Sequence, residues 1–168
     1  MKRPRSSPLF QQFEADVYVV DTSAWCNIDK RSNPEDDWRL IVGLIQQGRI
    51  VACGSVLNEI QDEDFYMLRI FPHEAALRAG DRTDIEYLMH VGKITHDHAA
   101  MAGATGQKEK ADPYVVALAE LENYVVVADE TCRKRPNRKI PGVCRARGIK
   151  FKMLDEFLEE ARASLEAI

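Results

Sequence analysis

"VYVVDTSAW", residues 17–25, sets an acid directly behind a run of apolar, β-favouring residues, and the reason for that acid decides how the chain folds. Valines and a tyrosine in unbroken succession suit a strand buried on both faces. A strand end would be served as well by Asn or Gly, so Asp21 alone could simply begin a turn. Other acids have to separate a turn from a site.

The first strand is "DVYVV", and residues 1–16, with Pro4, Pro8 and paired serines, read as a loose leader outside the core. Downstream, "NPEDDWRLIVGLIQQG" carries Asn33 as a cap, Pro34 at the first helical position, acids in the first turn and Gly48 as a stop. Trp38, Ile41, Val42 and Ile45 share one face of that helix. "RIVAC" then reads as a second strand, and "SVLNEIQDEDFYMLRI" as a helix capped by Ser55. The middle, residues 71–107, is expected to be helical, with "MAGATGQKEK" as a soft connector. "ADPYVVALAELEN" reads as a helix capped by Asp112 with Pro113 in first position, feeding the β-prone "YVVVA". "IKFKM" is a further strand, and "LDEFLEEARASLEAI" an amphipathic closing helix.

Strands separated by helices favour a parallel sheet, because parallel neighbours need crossover connections. The expectation is an α/β fold, a three-layer α/β/α sandwich with a mostly parallel central sheet. A chain of 168 residues, 45% hydrophobic, suits one well-buried domain, here residues 17–168. The N-terminus fails as a secretory signal and no segment is long and apolar enough to span a bilayer, so a cytoplasmic protein without membrane contact is expected. Cys26, Cys53, Cys132 and Cys144 stand far apart with no CxxC pair, which argues against a zinc knuckle and a disulfide framework.

In such a fold ligands bind beyond the carboxyl ends of the strands, where helices that lead into the next strand also begin. Asp21 follows the first strand, and Glu59 lies about one turn into the helix after the second. Asp112 opens the helix that runs back toward the third strand, and Asp129 follows that third strand. All four pass the geometric filter. Each also has a plainer reading: Asp112 suits a helix cap, and Glu59 could be one more exposed acid beside Asp62, Glu63 and Asp64. Gathered unpaired carboxylates repel and raise one another's pKa, so a cluster of this kind calls for a cation. An all-oxygen set selects Mg²⁺ or Mn²⁺ over zinc, and such ions suit attack of activated water on a phosphodiester.

These residues resemble the PIN-domain nucleases, in which a strand ends in an acid followed by Thr and Ser or Asn, as in "VVDTS". "SVLNEI", "ADPYVVALA" and "VVVADE" look like the segments carrying the family's second, third and fourth acids, in the same order. The resemblance spans most of residues 17–153. It implies a metal-dependent endoribonuclease in which Asp21, Glu59, Asp112 and Asp129 hold metal directly or through water. Ser23, or else Thr22, would orient a ligand water or a carboxylate. The fourth motif departs from the family, with Val127 in place of Thr two positions before the acid, and with Glu130 directly after Asp129, so either acid could be the ligand. "KIPGVCRARGIKFKML" is similar to the ending of a PIN-like bacterial branch with members in toxin/antitoxin systems, which implies a toxin neutralised by a small antitoxin protein.

The net charge of −4 weighs against a nucleic-acid partner, but its distribution does not. Between Cys132 and Lys152 the chain carries Arg133, Lys134, Arg135, Arg138, Lys139, Arg145, Arg147, Lys150 and Lys152 with no acid among them. Such a run is either a solvated loop or, beside an acidic metal pocket, a hold on an RNA backbone, with Arg133 to Lys139 nearest the site. His96 and His98 in "THDHA" are two apart, a spacing a helix turns away from a shared metal, and read as surface residues. Leu154, Phe157, Leu158, Ala161 and Leu165, with "DFYMLRIFP", are core material that could dock a second copy, as in a homodimer, or an inhibitory partner wherever they stay exposed. Two other functions remain open. A haloacid dehalogenase-type phosphatase also uses an Asp after its first strand, but needs a second Asp where Ser23 stands. A non-catalytic PIN-like module would use the basic stripe to bind RNA or a protein.

Overall fold

The computed structural model describes residues 15–102, 110–130 and 139–166, so the leader lies outside it up to residue 14. Four short strands, β1 (Tyr18–Val20), β2 (Ile50–Val51), β3 (Val125–Ala128) and β4 (Phe151–Met153), pair all-parallel in the order β2-β1-β3-β4. Tyr18 stands opposite Ile50 on one side and Val125 on the other, and Val126 stands opposite Phe151. Every residue of β1, β2 and β3 is buried, as strands covered by helices on both faces must be, whereas β4 at the edge is only half-buried. The architecture is the expected three-layer α/β/α sandwich.

The helices are α1 (Thr22–Ile28), α2 (Pro34–Gln46), α3 (Gly54–Ile60), α4 (Glu74–Arg78), α5 (Ile85–Asp97), α6 (Ala99–Ala102), α7 (Asp112–Glu122), α8 (Ile140–Arg147) and α9 (Leu154–Glu166). Two of them fall where the sequence suggests loops. α1 is a seven-residue helix whose inward residues are Ala24, Trp25 and Ile28, too few for a periodic signal. Trp25 stacks on Trp38 of α2 with ring centroids 5.9 Å apart and donates its indole N–H to the Val20 carbonyl at 3.1 Å, so α1 is pinned to the strand it follows. α8 turns part of the basic run inward through Ile140, Val143 and Cys144.

Other boundaries move. α3 begins at Gly54 with Cys53 before it, so Ser55 is a helical residue and not the cap. The long helix expected over residues 55–70 stops at Ile60, because Gln61 to Asp64 bring nothing apolar to the core, and resumes as a π-helical turn over Tyr66–Ile70. α9 is locked down by Arg162, which with Arg31 pairs the buried carboxylate of Asp37 on α2. Among the described residues no helix is long and apolar enough to cross a membrane.

The sheet order places a reversal between β1 and β3: the chain leaves β1 for β2 on one side and returns as β3 on the other. Such a switch point opens a crevice at the carboxyl ends of the two strands. The backbone ladder continues to its lip, with the Asp21 amide donating to the Val127 carbonyl at 2.8 Å.

Candidate active site and metal centre

Asp21 sits on that lip, only 3% exposed. It caps α1: its Oδ2 accepts the Ser23 amide at 3.0 Å and the Ser23 hydroxyl at 2.6 Å. The turn reading is therefore true but covers half of the carboxylate. Among the described residues Oδ1 is buried with no hydrogen-bond partner, a state that proteins rarely leave unoffset. Burial pushes the Asp21 carboxyl up to about 6, against the pull of the Ser23 hydrogen bonds, and the charge of Glu130 pushes it further up.

Glu59 comes from α3. Its two oxygens accept the Thr22 hydroxyl and, at 2.9 Å, the Ala111 amide. It thus ties α1 to the entry of α7, one residue before Asp112. Glu59 is not one more free surface acid beside Asp62, Glu63 and Asp64.

Asp112 is the first residue of α7, with Ala111 before it, and makes no capping hydrogen bond. The cap expected from the Asp-Pro pair is absent, because Pro113 sits one place later in the helix than the sequence suggests. The carboxyl is pushed up to about 7, first by burial, then by the charges of Asp21 and Glu130, with Lys110 opposing and Glu59 adding.

The fourth acid divides in two. Asp129 is tied to α1: its Oδ2 accepts the Asn27 side-chain amide at 2.8 Å, and its backbone N–H donates to the Ser23 hydroxyl at 3.0 Å. Glu130 is the acid felt by both Asp21 and Asp112. Its Oε1 accepts Lys139 at 3.1 Å, and its Oε2 is buried without a partner among the described residues. The charges of Asp21, Glu130 and Glu59 all bear on Asp112, and that of Glu130 bears on Asp21 as well, while Asp129 is tied to Asn27 and Ser23. Asn27 escapes a reading of the sequence. It lies four residues after Ser23 on α1, so both face the end of β3, a relation visible only once α1 is seen as a helix.

Among the described residues no group of three or more acid, histidine or cysteine side chains is arranged so that it could hold a metal ion. The donor set nonetheless fits a hard divalent ion. It is all oxygen, it is too negative for its burial, and two of its oxygens are buried and unsatisfied.

A model of one protein family, a domain of unknown function (DUF4411), matches residues 18–165. The chain belongs to this family. No curated protein matches it. The DUF4411 span runs from β1 into α9 and contains every acid described above.

The basic stripe is only partly on this rim. Lys139 reaches it through Glu130, while Arg133, Lys134, Arg135 and Arg138 lie outside the described residues. Farther along, Arg147 pairs with Glu120 and Asp97, Lys150 with Asp16, and Lys152 with Glu160, so these three cations have acidic partners within the chain. His96 is exposed and His98 half-buried at the end of α5.

Proposed function

We propose that the chain is a metal-dependent nuclease of PIN type that hydrolyses RNA phosphodiesters. The observation that carries the proposal is the Oδ1 of Asp21, buried without a partner among the described residues at the switch point of a parallel sheet, where the charge of Asp21 bears on Asp112. A protein gains nothing in stability from such a cluster, so its upkeep points to a cation and a reaction.

Asp21, Asp112 and Glu130, with Glu59 beside them, would hold Mg²⁺ or Mn²⁺. When bound there, the ion supplies an activated water and neutralises charge building on the phosphate. The chain's own residues do the rest. Ser23 fixes the Asp21 carboxylate by two donors to Oδ2 and leaves Oδ1 without a hydrogen bond among the described residues. Glu59, held by Thr22 and the Ala111 amide, sets the start of α7 and so the position of Asp112. Lys139 offers Glu130 a counter-charge and can pass to a substrate phosphate, since Glu130 would then have the ion. RNA as substrate, and a role as the toxin half of a pair with a small antitoxin, rest on the resemblance of the motifs.

The test is incubation of the purified protein with labelled RNA and single-stranded DNA, in Mn²⁺ and in chelator, beside Asp21→Asn. Cleavage in Mn²⁺ alone, lost in the variant by a factor of at least about 10², is expected. Equal cleavage by both proteins rejects the mechanism, and RNA retention without cleavage in any divalent ion favours a binding module.

A further inference from the structure

A cavity opens along α3 and α7, the helices that carry Glu59 and Asp112. It measures about 240 Å³ and lies between the start of α3, the turn at residues 81–83, α5 and α7. Two of its walls are the helices that carry Glu59 and Asp112, and Ser55, which lines it, is four residues before Glu59 on the same face of α3. The charge of Asp21 is felt at Cys53 in its wall.

Its chemistry excludes a phosphate. Arg82 is the one cation among its lining residues, and that guanidinium is taken up by Asp84, Glu86 and Glu122. Asp81, also in the wall, spends its carboxylate on the Gly54 amide at 2.9 Å and the Arg82 amide at 2.8 Å, and its charge would repel an anion. What remains is suited to a flat, neutral, hydrogen-bonding group. The rings of Tyr87 and Tyr114, set edge to face with centroids 6.3 Å apart, and Leu88 give an apolar side. The side chains of Ser55, Asn58 and Thr83 form no hydrogen bond among the described residues, and an Asn amide offers donors and an acceptor at once.

We propose that this cavity, between Asn58 of α3 and the Tyr87–Tyr114 pair, is a subsite for one unstacked nucleobase of a single-stranded substrate. The proposal rests on the nucleic-acid substrate inferred above and deepens it. A base must leave its helix to enter, so the substrate strand is unpaired next to the cut, and the Asn58 amide reads the edge of the base. Aromatic contact supplies sequence-tolerant binding while the amide supplies preference.

The experiment measures binding of labelled rA, rC and rU hexamers, and of an abasic ribose-phosphate hexamer of equal charge, to the full chain in Ca²⁺. Cleavage of the same hexamers is then followed in Mn²⁺. The best base-bearing hexamer should bind at least about fivefold tighter than the abasic one, a ratio that Asn58→Ala brings below about twofold. Thr83→Ala, exposed on the opposite wall, is the second variant should the first misfold by circular dichroism, and it should lower the ratio as well. Equal binding of abasic and base-bearing hexamers overturns the subsite, even if Mn²⁺-dependent cleavage persists. Base-dependent binding with no cleavage keeps the subsite and removes the nuclease reading.

Discussion

The Ser23 hydroxyl donates to Asp21 Oδ2 at 2.6 Å, and Ser23 Oγ in turn accepts the Asp129 amide at 3.0 Å. One side chain thereby joins the ends of the two central strands and aims the most buried acid of the crevice. Ser23→Ala removes the hydroxyl, leaves the Asp129 N–H without its partner and takes away a donor that holds the Asp21 carboxyl down. The variant is expected to lose about 1–2 kcal/mol in denaturant unfolding. The acid limb of its cleavage profile should move to higher pH. An unmoved limb would mean that Asp21 does not have to ionise for the reaction.

Stability should depend on pH with an unusual sign. Asp21 and Asp112 rise from an ordinary 3.8 to about 6 and about 7 in the folded state, so the fold binds protons more tightly than the unfolded chain does. Their contribution is full below about pH 4 and is lost as pH rises through 6 and 7, on the order of 2–3 kcal/mol for Asp21. Melting in chelator should therefore show Tm falling from pH 5 to pH 8, and Asp21→Asn should flatten the fall. Mn²⁺ should raise Tm more at pH 8 than at pH 5, since the ionised acids are what it binds.

Glu130 and Asp129 are predicted to differ. Glu130 has a buried free oxygen and faces Asp21 and Asp112, whereas Asp129 is held by Asn27. Glu130→Gln should lower cleavage by about 10²-fold and Asp129→Asn by about tenfold or less, in steady-state rates. The reverse order would move the ligand to Asp129.

Gly80 packs so closely on β2 that a Cβ there would stand 2.3 Å from Val51 Cγ1. Gly80→Ala has to push the strand or the turn aside, and with the turn goes Asp81, whose carboxylate holds the Gly54 amide. A loss of about 1–3 kcal/mol in chemical denaturation is expected. A silent substitution would show that the turn at residues 80–83 shifts freely and is no rigid wall for the cavity.

The valine-rich strands were legible in the sequence because a strand buried on both faces leaves an unbroken apolar run, and the Pro-led helices because Pro34 and Pro113 mark first turns. With the strands came the rim, and with the rim Asp21, Glu59 and Asp112. What escaped is short or decided by side-chain rotation. α1 has three inward residues, too few to show a period, and with it Asn27 was hidden. α8 lay beneath a basic run whose charges drew attention from Ile140, Val143 and Cys144. Whether Asp129 or Glu130 enters the crevice depends on which one Asn27 captures, a contact between residues 102 positions apart that no local pattern encodes.

Mn²⁺ binding to the wild-type chain and to Asp112→Asn, followed by calorimetry at pH 8, probes the convergence of the acids without relying on turnover. Removing one inward carboxylate should weaken Mn²⁺ by at least about tenfold, as expected for a lost oxygen ligand to a hard ion, while the fold melts no lower in chelator. Equal Mn²⁺ affinity in the two proteins, or no binding by either, would contradict a divalent centre at the ends of β1 and β3.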